Sequence, residues 1–214
     1  MSKMETIAYF LGAFICFFVF RVLYLVYKII FGKSQLKSDE PRLRTLISIG
    51  SGGHTTEMLR IVGTLNATKY LPRLYVMADN DVSSEVKIRK LEGQEKHFEI
   101  YRIPRSRNVN QSYFTSIFST LRATLHTFPI IYKFKPQVII TNGPGTCIPI
   151  CFVAFFLRCL FILDCRVIFI ESICRVRTLS LSGKIMQFLA DVFIIQWPQL
   201  RDVCIRGQYF GRLT

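Results

Sequence analysis

Three stretches of this chain carry residue types that can hold a phosphorylated ligand and move a proton. The first is Gly50-Ser51-Gly52-Gly53-His54-Thr55. Its glycines let backbone approach a ligand, and a helix that follows presents free N–H groups favouring negative charge. That chemistry suits phosphate, although the same glycines also serve a tight strand-to-helix turn for its own sake. His54 is either a general base or a polar residue opening the helix. The spacing is not the GxGxxG dinucleotide fingerprint and no Walker lysine follows, so neither NAD nor ATP is indicated.

The second stretch, Asn142-Gly143-Pro144-Gly145, is another glycine-bearing turn whose backbone could donate to the same ligand. Its bland alternative is an ordinary loop. The third is Glu171-Ser172, with Arg175 and Arg177 beyond. Glu171 could position a hydroxyl, take a proton or pair with a nearby arginine. Arg105 and Arg107 could neutralise a diphosphate or belong to a solvated loop.

Each of these stretches follows a short apolar, β-branched run. The runs are Leu43–Ile49, Leu74–Ala78, Phe98–Ile103, Val138–Thr141, Val167–Ile170 and Val192–Ile195. Most lack clean alternation, as expected of strands covered by helices on both faces. Between them the pattern predicts helices at Thr55–Leu65, Val82–Leu91, Tyr113–Phe134, Cys147–Leu163 and Leu181–Leu189, with Pro129 bending or ending the third. Strand and helix in alternation predict an α/β domain of the Rossmann type, a doubly wound parallel sheet. Ligands of such sheets bind beyond the carboxyl ends of the strands, where these polar stretches fall.

An apolar segment at residues 7–28 precedes the domain, with Arg21 its only charge before Lys28. It has about the ~20 residues that a helix needs to cross a bilayer, and it lacks the shorter core and small-residue site of a cleaved signal. Lys28, Lys33, Lys37, Arg42 and Arg44 follow it, placing the C-terminal side in the cytosol by the positive-inside rule. The expected organisation is a short tail at 1–6, this anchor, a polar linker at 29–42, the Rossmann domain at 43–204 and a tail at 205–214. The run Cys147–Leu163 is apolar nearly all round, so it is either a buried helix or one lying against lipid.

Of the 214 residues, 28 are Lys or Arg against 14 Asp or Glu, a net charge of +14 that suits an anionic partner. The basic residues are dispersed and no nucleic-acid-binding motif appears, so phospholipid headgroups or phosphorylated substrates are the expected partners rather than nucleic acid. Seven cysteines without CxxC pairing or a histidine at ligand spacing predict neither a metal site nor a disulfide framework. No cofactor is expected.

At SIGSGGHTTEMLRIV, VIITNGPGTCIPI, FIESICRVRTLSLSGK and the closing YFGRL, the sequence resembles the membrane subunit of the eukaryotic UDP-N-acetylglucosamine transferase, the asparagine-linked glycosylation protein 14 family. The resemblance spans nearly everything from Arg44 onward. More distantly, the GGH loop, the loop near Gly143 and the glutamate after the fifth strand are similar to the N-terminal half of the bacterial lipid II-forming transferase. The resemblance implies a split GT-B fold, in which this chain is the acceptor-binding half and a separate soluble chain the sugar-nucleotide half. The implied reaction adds the second N-acetylglucosamine to dolichyl-diphosphate-linked N-acetylglucosamine at the cytosolic face of the endoplasmic reticulum. By the same resemblance, Gly50 to Thr55 and Asn142, Gly143 and Gly145 would face the acceptor diphosphate, with His54 and Glu171 activating or orienting the acceptor hydroxyl. Tyr209, Phe210 and Leu213 would dock on the partner chain; without the resemblance the tail reads as a frayed terminus. A stand-alone anchored Rossmann protein that binds a phosphorylated ligand without catalysis is the alternative. A third reading makes the chain an anchor that recruits an otherwise complete enzyme.

Overall fold

The computed structural model describes residues 2–32, 40–93, 97–107, 111–143 and 145–214. Pro144 and half of the expected linker, with Lys33 and Lys37, lie outside the described residues. Among the described residues, seven parallel strands form one sheet: β1 Thr45–Ser48, β2 Arg73–Ala78, β3 Phe98–Ile103, β4 Val138–Asn142, β5 Arg166–Ile170, β6 Val192–Ile195 and β7 Gln208–Tyr209. Their spatial order is β3-β2-β1-β4-β5-β6-β7, so the winding direction reverses between β1 and β4. That reversal opens a crevice at the strand ends, because the connections leave it towards opposite faces.

Strands β1, β2 and β4 are buried throughout, which explains their unbroken apolar runs. On one face Ile47, Tyr75, Met77 and Ile140 pack under α2 Gly53–Thr64 and α3 Val82–Glu92. On the other, Leu46, Leu74, Val76, Ile139, Phe169 and Phe193 pack under α4 Tyr113–Phe134, α5 Cys147–Cys159 and α6 Leu181–Met186. Side chains that alternate across the pleat feed both layers.

Pro129 lies inside α4 and does not end it. Helix α5 stops at Cys159, short of the expected Leu163. Most of α5 is buried, with Cys147 and Cys151 fully enclosed; Phe152 and Phe156 remain part-exposed on its outer side. Burial pushes the Cys147 thiol up to about 12, so it behaves as a small apolar group.

The N-terminal helix α1, Lys3–Phe31, has 29 residues and is long and apolar enough to cross a membrane. Its first part is exposed on all sides. From Phe18 onward, Phe18, Val22, Leu25, Val26 and Ile29 recur at helical spacing and pack onto the domain, Leu25 and Ile29 being fully buried. Arg206 fastens this end by donating to the Ile29 and Ala190 carbonyls.

The C-terminal residues are not frayed. Strand β7 pairs with β6, Leu213 N–H and Thr214 Oγ1 both donate to Gln196 Oε1 (3.0 and 3.1 Å), and Arg212 stacks 4.7 Å over Trp197. This segment completes the sheet on the side of β6.

Candidate functional site

At the reversal of strand order, a cleft of about 1030 Å³ opens beyond the carboxyl ends of β1, β4 and β5. Gly52 makes the turn out of β1, with φ +64° and ψ −121°, a conformation that favours glycine. Helix α2 then starts at Gly53 with no side chain capping it, and a Cβ built on Gly52 or Gly53 would meet nothing within 4 Å. The first α2 amides are thus left without a side-chain partner among the described residues, the arrangement that anion binding at a helix start uses.

His54 sits half-buried in the first turn of α2, its ring against Gly143. Gly143 (φ +43°) ends β4, and a Cβ there would stand 2.7 Å from His54 Cε1. One turn further along α2, Glu57 places Oε2 3.6 Å from His54 Nδ1. Glu57 also accepts from Asn142 Nδ2 (3.3 Å) and Ser172 Oγ (3.0 Å), while Asn142 Nδ2 donates to the His54 carbonyl (3.0 Å). Burial pushes the Glu57 carboxyl up, but His54, Ser172 and Asn142 outweigh it and hold it below its ordinary range. Glu57 thus ties α2 to the ends of β4 and β5 beside the imidazole.

Glu57 is the residue that sequence reasoning missed. Its signal was the His54/Glu57 spacing of three, which puts both on one helical face. Its second partner, Ser172, is 115 residues away and gave no local sign.

Glu171 ends β5 and is fully buried. One carboxylate oxygen accepts from Ser172 N–H (3.1 Å), the other from Ser180 N–H and Oγ (3.1 Å each). Burial raises its carboxyl above the usual range, against those hydrogen bonds. The carboxylate closes the loop from Ser172 to Ser180 and so shapes the cleft wall at the start of α6.

Ser51, Gly53, Gly145, Arg105 and Arg107 also line the cleft, joined by Arg175. Three arginines thereby stand on a rim that includes Ser106, whose buried Oγ has no hydrogen-bond partner among the described residues. The lining also has an apolar part, with Ile117, Ile148, Phe152, Leu181 and Ile185. Such a cleft accommodates a ligand that is polyanionic at one end and hydrocarbon at the other.

Four expected ligand contacts, Gly50, Gly52, Thr55 and Asn142, fall outside the lining. Thr55 is fully buried and its hydroxyl donates to the Gly50 carbonyl, with Ser84 Oγ 2.6 Å away. Gly50 lies buried beneath it and, like Gly52, is absent from the lining. The reason is helical geometry: with α2 starting at Gly53, each residue turns ~100° from the last, so His54 faces the cleft and Thr55 the interior. Asn142 contributes through His54 and Glu57 rather than as lining. Tyr209, Phe210 and Leu213 lie apart from the cleft, beside β6, with Phe210 67% exposed.

Comparison with known proteins agrees with this architecture. The fold is similar to the crystal structure of Acinetobacter baumannii MurG, with a TM-score of 0.55 at 16% identity over 74% of this chain and 43% of that one. The chain thus spans less than half of the MurG chain's length. It is 47% identical over 191 residues to the UDP-N-acetylglucosamine transferase subunit ALG14 of Rattus norvegicus, covering 85% of this chain and 88% of that protein. Against the Homo sapiens subunit of the same name it is 41% identical, covering 95% of each. The family described as "Oligosaccharide biosynthesis protein Alg14 like" matches residues 45–213, which span the whole sheet and every side chain of the cleft, and the chain belongs to that family.

Proposed function

We propose that this chain is the membrane-anchored, acceptor-binding subunit of a two-chain UDP-N-acetylglucosamine transferase. It holds dolichyl-diphosphate-linked N-acetylglucosamine at the cytosolic face of the endoplasmic reticulum while a soluble partner brings the sugar nucleotide. The observation that carries this reading is the mixed lining of one cleft: arginines and uncapped α2 amides for a diphosphate, and apolar side chains for the first part of a lipid. His54, beside Glu57 and Gly143, is the group that orients or deprotonates the acceptor hydroxyl, and Glu171 is a positioning residue that acts through the Ser172–Ser180 loop.

Partner docking is assigned to the β7 side, where Tyr209, Phe210 and Leu213 leave an apolar group beside the sheet edge. The full chain, assayed in detergent with UDP-N-acetylglucosamine and the lipid acceptor, is expected to give product only with the soluble subunit present. Phe210→Asp should abolish co-purification of that subunit. Turnover by this chain alone would sink the two-chain reading.

Membrane apposition of the cleft supports the choice of a lipid acceptor. Along α4, Phe114, Ile117, Phe118, Leu121, Leu125, Phe128 and Tyr132 form one exposed stripe at helical spacing. Ile117 reaches the cleft, and α5 continues the stripe through Phe152 and Phe156, whose ring lies 6.0 Å from Phe18 of the anchor. The apolar surface therefore runs from the cleft wall to α1. Replacing Leu121 and Leu125 together with Asp should raise the KM for acceptor in liposomes by about a hundredfold or more, since each leucine buried in lipid is worth ~1.5–3 kcal/mol. In detergent micelles, which impose no fixed membrane plane, the KM should stay near that of the parent chain.

A further inference from the structure

At the opposite end of the sheet from the cleft, where β5 begins at Arg166 rather than where it ends, a second cavity of about 330 Å³ separates the anchor helix from the domain. Arg21 and Lys28 of α1 line one side, and Arg158, Phe161 and Arg166 line the other. Asp164 is the acidic residue of the lining and is exposed at its rim.

The four cations are not equally committed. Arg158 is held by Asp191 through two hydrogen bonds of 2.9 and 3.0 Å, and Arg166 reaches the same carboxylate at 3.3 Å. Asp191 also accepts from Val167 N–H at 2.9 Å, so its capacity is used up. Arg21 and Lys28 have no carboxylate within salt-bridge distance among the described residues. Arg21 is stacked 4.0 Å over the Phe161 ring, one of its terminal nitrogens is 3.5 Å from the Arg158 carbonyl, and its Nε is buried without an acceptor. A part-buried guanidinium held over an aromatic ring, with its Nε donor unused, is prepared for an oxyanion at its edge.

We infer that this cavity binds the phosphodiester of a membrane phospholipid, with Arg21 and Lys28 as its principal donors. Depth selects the lipid over phosphate from solution. Before Arg21 the exposed face of α1 is hydrocarbon, with Phe10, Phe14, Phe17 and Phe20; after it come exposed Tyr24 and Tyr27, the aromatic pattern of a headgroup region. Phe17 lies 6.4 Å from Phe161, so an acyl chain leaving the cavity towards the N-terminal end of α1 meets apolar rings. A lipid seated there bridges the anchor to the domain and fixes the height of the domain on the bilayer. The inference rests on α1 spanning the membrane.

The test is native mass spectrometry of the full chain released from nanodiscs of phosphatidylcholine and phosphatidylserine. The parent chain should retain one phospholipid. Arg21→Gln with Lys28→Gln should lower the retained fraction by about a hundredfold, as expected for losing two charge-assisted contacts. Retention unchanged in the double variant overturns the site. Excess inorganic phosphate should not displace the lipid; displacement, with phosphate retained in its place, overturns the lipid as occupant. Should the double variant fail to fold, Lys28→Gln alone, at an exposed position, should still lower retention severalfold. Alkaline extraction of the parent chain from membranes separates the two readings. A chain that is extracted defeats the spanning helix itself, whereas one that resists extraction yet retains no lipid defeats this site alone.

Discussion

Gly143→Ala should cut turnover of the assembled transferase by about a hundredfold, the cost typical of moving a catalytic group by ~1 Å. The methyl group would stand 2.7 Å from His54 Cε1 and 3.0 Å from Nδ1, too close for either to stay. Because the obstacle is a side chain and not backbone, the imidazole gives way while the sheet holds. His54 then leaves its place beside Glu57, and Glu57 keeps only Asn142 and Ser172. A φ of +43° adds ~1–2 kcal/mol of strain for any residue with a Cβ, so a modest fall in melting temperature accompanies the loss. Gly63→Ala is the control. Its Cβ would meet only Leu91 Cδ1 at 3.6 Å inside α2, and it should stabilise the chain by ~0.5–1 kcal/mol with turnover unchanged. Steady-state kinetics and thermal melts of the two variants check both halves. Normal turnover by Gly143→Ala would remove His54 from the reaction.

What the sequence made legible follows from where its information is local. Strand runs such as Val138–Thr141 stood out because a sheet covered on both faces needs apolar residues at every position. The polar stretches after them marked the cleft because parallel strands all end on the same side. The start of α2 was readable only to within a residue or two, and that margin decided whether Thr55 met a ligand or Ser84. Glu57 stayed hidden for a different reason: a glutamate in an amphipathic helix looks like solvated surface until Ser172 and Asn142 arrive from other strands. Strand β7 is two residues long and carries no periodicity; only its pairing with Ile194 and Ile195 makes it a strand. Glu171 was found by position, while its engagement by Ser172 and Ser180 depends on how the following loop folds back.

Asp191→Ala is expected to destabilise the chain by ~3–5 kcal/mol, a large share of the ~5–15 kcal/mol that holds a domain folded. Burial works against the charge of Arg158, but Asp191 outweighs it and holds the guanidinium above its ordinary range. With side-chain exposures of 6% and 10%, the pair has little water to fall back on. Removing the carboxylate strands Arg158 in the core of α5 and frees Arg166 and the Val167 amide at the start of β5. For a chain of this size the loss corresponds to a melting temperature lower by about 10 °C. Thermal denaturation in detergent measures it. The companion variant, Arg158→Met with Asp191→Leu, should recover most of that stability, because an apolar pair no longer asks for desolvated charges to be matched. The pair of variants also separates two roles of this ion pair. Helix α5 carries Ile148 and Phe152 to the cleft at one end and Arg158 to the anchor cavity at the other. If the ion pair serves only to seat α5, the apolar replacement restores acceptor turnover together with stability. If Arg158 is needed at the anchor, stability returns while lipid retention falls, because the Met side chain brings neither charge nor donor to the cavity, even with Arg166 released from its carboxylate.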